Sequence, residues 1–137
     1  MKPVVIDTNV FIAAAFNPHS SAAQVIEAAQ EGTLKIVWDE KTKHETQKLV
    51  TQIPMTRKKW PKFEKLFQGS VKHHTKIAPE AFKDTVKDRD DRKFAALAKD
   101  TGAIIVTNDD DLLGTKNQTG LTVMTPGEFV RTYLQGS

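Results

Sequence analysis

Two short apolar runs, each leading without a break into a turn that holds an aspartate, constrain this chain more than any other feature. They are Val4-Val5-Ile6 before Asp7-Thr8-Asn9, and Ala103-Ile104-Ile105-Val106 before Thr107-Asn108-Asp109. Neither run alternates apolar with polar residues, so neither suits a strand with one wet face; both suit strands covered on both sides. The Thr, Asn and Asp that follow favour helix N-caps, so strand passes straight to helix. From Val10 the apolar spacing is helical to Phe16, breaks at Asn17-Pro18 and restarts as far as Gln30, with Gly32 as its stop. Leu34 to Trp38 reads as the next strand, Glu40 to Gln52 as a polar helix halted by Pro54, and Thr56 to Phe67 as a helix halted by Gly69. Val71 to Ile77 reads as a short strand. Asp90 or Asp91 caps a helix that carries Phe94, Leu97, Ala98 and Thr101 on one face and stops at Gly102. Leu121 to Met124 is the last strand, with Pro126 opening a final helix. Short buried strands alternating with helices imply an α/β fold, a three-layer α/β/α sandwich around a mostly parallel sheet, in a single domain over residues 1–137.

Several function classes drop out on composition. The chain has no cysteine, which excludes disulfides, thiolate metal sites and a cysteine nucleophile, and fits a reducing compartment; the expected address is the cytoplasm. No apolar run reaches the length of a signal peptide core or a membrane span, so no membrane partner is expected. The net charge of +3 is mild, but its distribution is uneven. Between Arg57 and Lys76 lie Arg57, Lys58, Lys59, Lys62, Lys65, Lys72 and Lys76 against one acid, Glu64, while Asp88, Asp90, Asp91, Asp109, Asp110 and Asp111 crowd into two short stretches. Such segregation suits a protein that grips a phosphate backbone with one region and handles a cation with the other. Trp60, Phe63 and Phe67 fall at helical spacing within the basic stretch, which favours a core face over base-stacking rings and turns the intervening Arg57, Lys58, Lys59, Lys62 and Lys65 outward, toward RNA backbone or solvent. His73 and His74 lie in the same basic stretch and suit solvent or phosphate better than metal.

In open α/β sheets, sites gather at the carboxyl ends of the strands. Asp7 and Asp109 both stand there, and share one crevice if their strands are neighbours; Asp91, at the start of the helix before the second strand, is the third acid. A lone Asp at such a junction is ordinarily an N-cap. Several carboxylates in one crevice, however, repel and raise one another's pKa unless a cation neutralises them, and a hard divalent ion such as Mg²⁺ or Mn²⁺ is the natural partner of all-oxygen ligands. That arrangement suits phosphodiester hydrolysis, with one ion or two. Glu45 stands mid-helix, where pairing with Lys41, Lys43 or Lys48 is the ordinary expectation.

The order Val-Val-Ile-Asp7-Thr8-Asn9, a helical Glu45, Asp88-Arg89-Asp90-Asp91-Arg92-Lys93-Phe94 and then Ile-Val-Thr107-Asn108-Asp109-Asp110-Asp111-Leu112-Leu113 resembles the PIN domain nucleases. The likeness is greatest to the branch that serves as toxins of bacterial toxin–antitoxin pairs, and it covers almost the whole chain. The resemblance implies a sandwich around a parallel sheet and Mg²⁺- or Mn²⁺-dependent cleavage of RNA by Asp7, Glu45, Asp91 and Asp109, all four in reach of metal. It further implies that Thr8 and Asn9 support the first turn, Thr107 orients the last one, and Asp88 and Asp111 are auxiliary acids. An antitoxin and a second copy of the chain are the partners it implies. The helix around Glu45 departs from the family pattern, since Lys41, Thr42, Lys43 and His44 make it polar where the family is more apolar.

Two rival readings differ in chemistry. Haloacid dehalogenase-like phosphatases also place Asp after the first strand, but need an acid two residues later where this chain has Asn9, which cannot carry the proton. A non-catalytic RNA-binding or scaffold module on the same fold is the other, and retention of all four acids argues against it.

Overall fold

The computed structural model describes residues 3–68, 72–115 and 120–135. Four strands form one sheet: β1 (Pro3–Ile6), β2 (Lys35–Ile36), β3 (Ile104–Val106) and β4 (Val123–Met124), in the order β2-β1-β3-β4. Every pairing is parallel, with Val4 opposite both Ile36 and Ile104, Val5 opposite Ile105, and Ile105 opposite Val123. The unalternating apolar runs find their reason in this arrangement. Val4, Ile6, Ile104 and Val106 point into one core, and Val5, Ile105 and Val123 into the core on the opposite face.

The first core holds α1 (Thr8–Phe16), α2 (Ser21–Gln30) and the closing helix α8 (Pro126–Phe129), which runs on as a π-helical turn through Leu134; it also holds the aromatic group of the basic stretch. The second is covered by α6 (Arg92–Thr101) together with Phe82, Val86 and Leu112. Helix, sheet and helix make the three layers of an α/β sandwich.

Between the first and last strands, α3 (Glu40–Gln52) begins at Asp39, whose Oδ1 accepts from the Thr42 backbone N–H while the Thr42 hydroxyl accepts from the Asp39 N–H. This reciprocal cap fixes where the helix starts, and hence which side of it Glu45 takes. The helix expected over Thr56 to Phe67 is instead broken. α4 (Pro54–Arg57) ends before α5 (Trp60–Glu64), and a 3-10 turn follows over Lys65–Phe67. Pro61 is the cause: without an N–H, and with a ring that clashes with the carbonyl four residues back, it is tolerated only in a first turn. The aromatics nevertheless turn inward as their spacing indicates. Phe67 packs on Phe11, Trp38 and Trp60 with ring centroids 5.5, 5.8 and 5.9 Å apart.

The strand expected over Leu34 to Trp38 is ladder-paired only at Lys35 and Ile36, with Trp38 making an isolated parallel bridge to Lys72. That bridge is what is described of the strand expected over Val71 to Ile77, whose first residue, like the helix stop Gly69, lies outside the described residues. The last strand is shorter than expected and begins at Val123. Gly102 ends α6 in the left-handed region, φ 73°, where a side chain would strain the backbone. Among the described residues, no helix is long and apolar enough to cross a membrane.

Candidate active site

Because β1 and β3 are parallel neighbours in register, the turns after them lie side by side. The Asp7 backbone N–H donates to the Val106 carbonyl at 3.0 Å, and the Asn108 N–H donates to Asn9 Oδ1 at 3.2 Å, fastening one turn to the other. Asp7 stands at the N-cap position of α1 but its carboxylate does not cap the helix; Oδ2 accepts from the Thr107 hydroxyl at 2.7 Å. The same hydroxyl accepts from the Asp109 backbone N–H at 2.9 Å, so Thr107 holds both acids with one oxygen. Asp109 Oδ1 caps the short helix α7 (Asp110–Leu113) through the Asp111 N–H, at 2.8 Å.

Asp91 holds the N-cap position of α6, as its place in the sequence indicates, but its side chain makes no capping hydrogen bond. Asp88 caps a 3-10 turn over Arg89–Asp91 by accepting from the Asp90 N–H at 3.0 Å, and this turn swings Asp91 inward. Its Oδ2 is buried without a hydrogen-bond partner. Carboxylate oxygens of Asp7, Asp91 and Asp109 all lie within 4.8 Å of one another, and those of Asp88, Asp91 and Asp111 form a second such group.

The electrostatics follow from this crowding. Burial, at 3% exposure, pushes the Asp7 carboxyl up to about 6, against the lowering effect of its hydrogen bonds from Thr107 and the Thr8 backbone; the charges of Asp109 and Glu45 push it further up. Asp91 is raised as well, first by burial, then by the adjoining Asp109 carboxyl and the charges of Asp7, Asp109 and Asp88. Among the described residues the cluster contains no cation of its own. An orphaned buried carboxylate oxygen inside an all-oxygen donor set is what a hard divalent ion fits.

Glu45 lines the same crevice but stands outside the three-carboxylate group. Its partner is none of Lys41, Lys43 and Lys48; Lys93 Nζ donates to Glu45 Oε1 at 2.8 Å, across from α6. Thr8, expected in the turn, is buried and shares a 2.9 Å hydroxyl contact with Thr46, which ties α1 to α3 beside Glu45. Lys93 is the residue that sequence reasoning missed, although it lies only two positions beyond Asp91. None of Arg57, Lys58, Lys59, Lys62 and Lys65 lines the crevice; all but the half-buried Lys59 are exposed. His73 is engaged with Asp100 at 2.6 Å.

Fold and site together define a parallel α/β sandwich with an acid cluster at the carboxyl ends of its two central strands. The chain belongs to the PIN domain family, whose profile matches residues 3–111. PIN domains are in general nucleases and divalent-metal-dependent. A curated relative, the uncharacterized protein MJ1680 of Methanocaldococcus jannaschii, is 28% identical over 149 residues, covering 95% of this chain and 90% of the relative. Among solved structures, PAE2754 from Pyrobaculum aerophilum matches with a TM-score of 0.63 at 15% identity, covering 98% of this chain and 91% of that one. FitAcB from Neisseria gonorrhoeae matches at 0.59 and 19% identity, and VapBC2 from Rickettsia felis, bound to a DNA fragment from their promoter, at 0.58 and 18%; each covers 90% of this chain and 98% of the other. At these identities the likeness shows the shared fold.

Proposed function

We propose that this chain is a divalent-metal-dependent endoribonuclease that hydrolyses RNA phosphodiester bonds at the Asp7, Asp91 and Asp109 crevice, and that it is the toxin of a toxin–antitoxin pair. The observation that carries the nuclease reading is the buried, unpartnered Asp91 Oδ2 in a group whose carboxylate oxygens lie within 4.8 Å of one another, an arrangement whose repulsion a divalent cation would relieve. Asp7, Asp91 and Asp109 would hold Mg²⁺ or Mn²⁺, with Asp88 and Asp111 next to them. Such an ion supplies charge stabilisation at the phosphoryl group and lowers the pKa of water. The chain's own residues do the rest. Thr107 fixes Asp7 and Asp109 relative to each other, Asn9 locks the two turns, and Glu45 adds a carboxylate to the crevice wall. The toxin part of the reading is supported by the resemblance of the acid motifs to that branch of the family and by the fold shared with VapBC2 and FitAcB.

The test is incubation with a mixed pool of structured and unstructured RNA, in Mg²⁺ or Mn²⁺ and in chelator, beside Asp7→Asn protein prepared identically. Cleavage that needs metal and is missing from the variant is the expected result. Equal cleavage by both proteins would mean a contaminant, and equal inertness with RNA binding retained would favour the scaffold reading; either overturns the proposal.

Removing the Thr107 hydroxyl tests the positioning role separately. Thr107→Ala should cost about 10- to 100-fold in metal affinity or in kcat/KM, the usual range for a group that orients ligands, whereas Thr107→Ser keeps the hydroxyl and stays near wild type. An Ala variant with unchanged kinetics would remove Thr107 from the site.

A further inference from the structure

The Glu45–Lys93 pair links the linings of three concavities. Glu45 lines the acidic crevice, while Lys93 lines both a groove with Pro79, Glu80, Arg89, Asp90 and Arg92 and a cavity with Thr75 and His74. Crevice and groove adjoin at Asp90, which lines both. The two side chains of the pair are only 15% and 18% exposed, so this ammonium is held in place where a surface lysine would sweep through solvent. It carries three N–H donors, of which Glu45 takes one. Arg92, its neighbour in the groove, is spent on structure: Nε donates to the Val86 carbonyl at 2.8 Å, and Nη2 reaches the carbonyls of Lys83 and Lys87. A polyanion reaching a crevice walled by Asp7, Asp91, Asp109 and Glu45 is repelled by whatever acids the ion leaves uncompensated, and Lys93, bound to the crevice-lining Glu45, is a held cation beside that wall with two donors to spare.

We infer that Lys93 is a substrate-binding residue that contacts the RNA backbone at a phosphate beside the crevice, and so leads the strand from the acidic cluster into the Pro79–Arg89 groove. The inference rests on the reading of the crevice as acting on RNA. The plain alternative is that Lys93 only neutralises Glu45.

Glu45→Gln separates the two, because with no charge at position 45 there is none left to neutralise. Binding of a labelled single-stranded RNA of about 12 nucleotides is followed by fluorescence anisotropy with Mg²⁺ present, in an Asp7→Asn background that stops turnover, from about 50 to 200 mM salt. Adding Lys93→Met to Glu45→Gln should weaken binding several-fold and flatten the dependence of log K on log salt by about 0.7, the share of one phosphate contact on a single strand. Lys93→Arg in the same background should restore the slope. Thermal melts of each variant separate a folding defect from a binding one. A Lys93→Met change that leaves affinity and slope untouched in the Glu45→Gln background overturns the inference, whatever it does to the melt. Cleavage by wild type with that slope untouched would remove Lys93 alone; the slope change without any cleavage by wild type would remove the nuclease reading and keep the contact.

Discussion

Asp7→Asn protein is expected to lose RNA cleavage by more than about 100-fold and, when metal is withheld, to unfold at a higher temperature than wild type. Loss of activity follows from removing a carboxylate that would hold the ion, a change more severe than the 10- to 100-fold typical of groups that merely orient ligands. The gain in stability follows from burial. The Asp7 carboxyl is pushed from its ordinary value near 3.8 up to about 6, so at neutral pH the folded protein keeps a charge that its surroundings disfavour by about 3 kcal/mol. Asparagine has the same shape and no charge. Its carbonyl oxygen can still accept from Thr107, and its amide can donate to the carboxylates of Asp91 and Asp109, which are within 4.8 Å. A recovery of about 1–3 kcal/mol is expected, or several degrees in the unfolding midpoint for a chain of this size. Melting curves in chelator, run beside the cleavage assay, check both halves. A variant that is inactive and also less stable would mean that Asp7 is a structural residue whose loss damages the fold.

Metal-free protein should lose stability as pH rises from about 4 to about 6, against the usual trend for carboxylates. Because the Asp7 pKa is higher in the folded state than in the unfolded one, the folded state binds more protons between these values. The penalty is absent below about 3.8, grows through the window and is complete above about 6, and the raised Asp91 carboxyl carries the same trend to higher pH. Asp100 and Glu40 act in the opposite sense. Hydrogen bonds from His73 and from Lys72 hold their carboxyls below the ordinary range, so their contribution is present above that range and is lost toward strong acid. Divalent metal should reverse the effect of the cluster. An ion at 100 times its dissociation constant stabilises the fold by about 3 kcal/mol, and it competes with protons for the same oxygens, so its shift of the midpoint should be larger at pH 7 than at pH 5. Scanning calorimetry at both pH values, with Mg²⁺ or Mn²⁺ and with chelator, measures this directly. A metal shift of equal size at the two pH values, or metal-free stability that climbs from pH 5 to 7, would contradict the assignment of Asp7 and Asp91 as ligands.

The parts of the molecule legible in the sequence are those encoded by contiguous residues. Val4 to Ile6 and Ile104 to Val106 declare themselves as strands buried on both faces, and the Asp that follows each is placed by that fact alone. Trp60, Phe63 and Phe67 likewise carry their burial in their spacing. What the sequence hides is decided by contacts between distant residues. Asp91 reads as a capping side chain because local pattern cannot tell that Asp88 starts a 3-10 turn just before the helix, a turn that aims the Asp91 carboxylate into the cluster and away from the helix amides. Glu45 reads as one charge on a polar helix because Lys41 at i−4 and Lys48 at i+3 are visible and Lys93, 48 residues away, is not. The break in the helix expected from Thr56 is of a different kind, because Pro61, a contiguous and visible signal, outweighs the apolar periodicity that surrounds it.

The strand order has a consequence for how the protein is made. β1 can pair with β2 after some thirty residues, but its other neighbour, β3, is separated from it by about a hundred, as is Thr107 from Asp7. At a synthesis rate of about 5–20 residues per second, roughly 5 to 20 seconds pass on the ribosome between the first aspartate and the last. Throughout that interval one edge of β1 stands bare, and closing so long a loop makes its pairing slow. A nascent chain, or a truncated product that stops before Ile104, therefore carries Asp7 and Glu45 but lacks the neighbouring turn that would bring Thr107 and Asp109 to them. Cutting power of the kind proposed arrives only once β3 and the turn that carries Thr107 and Asp109 have been made.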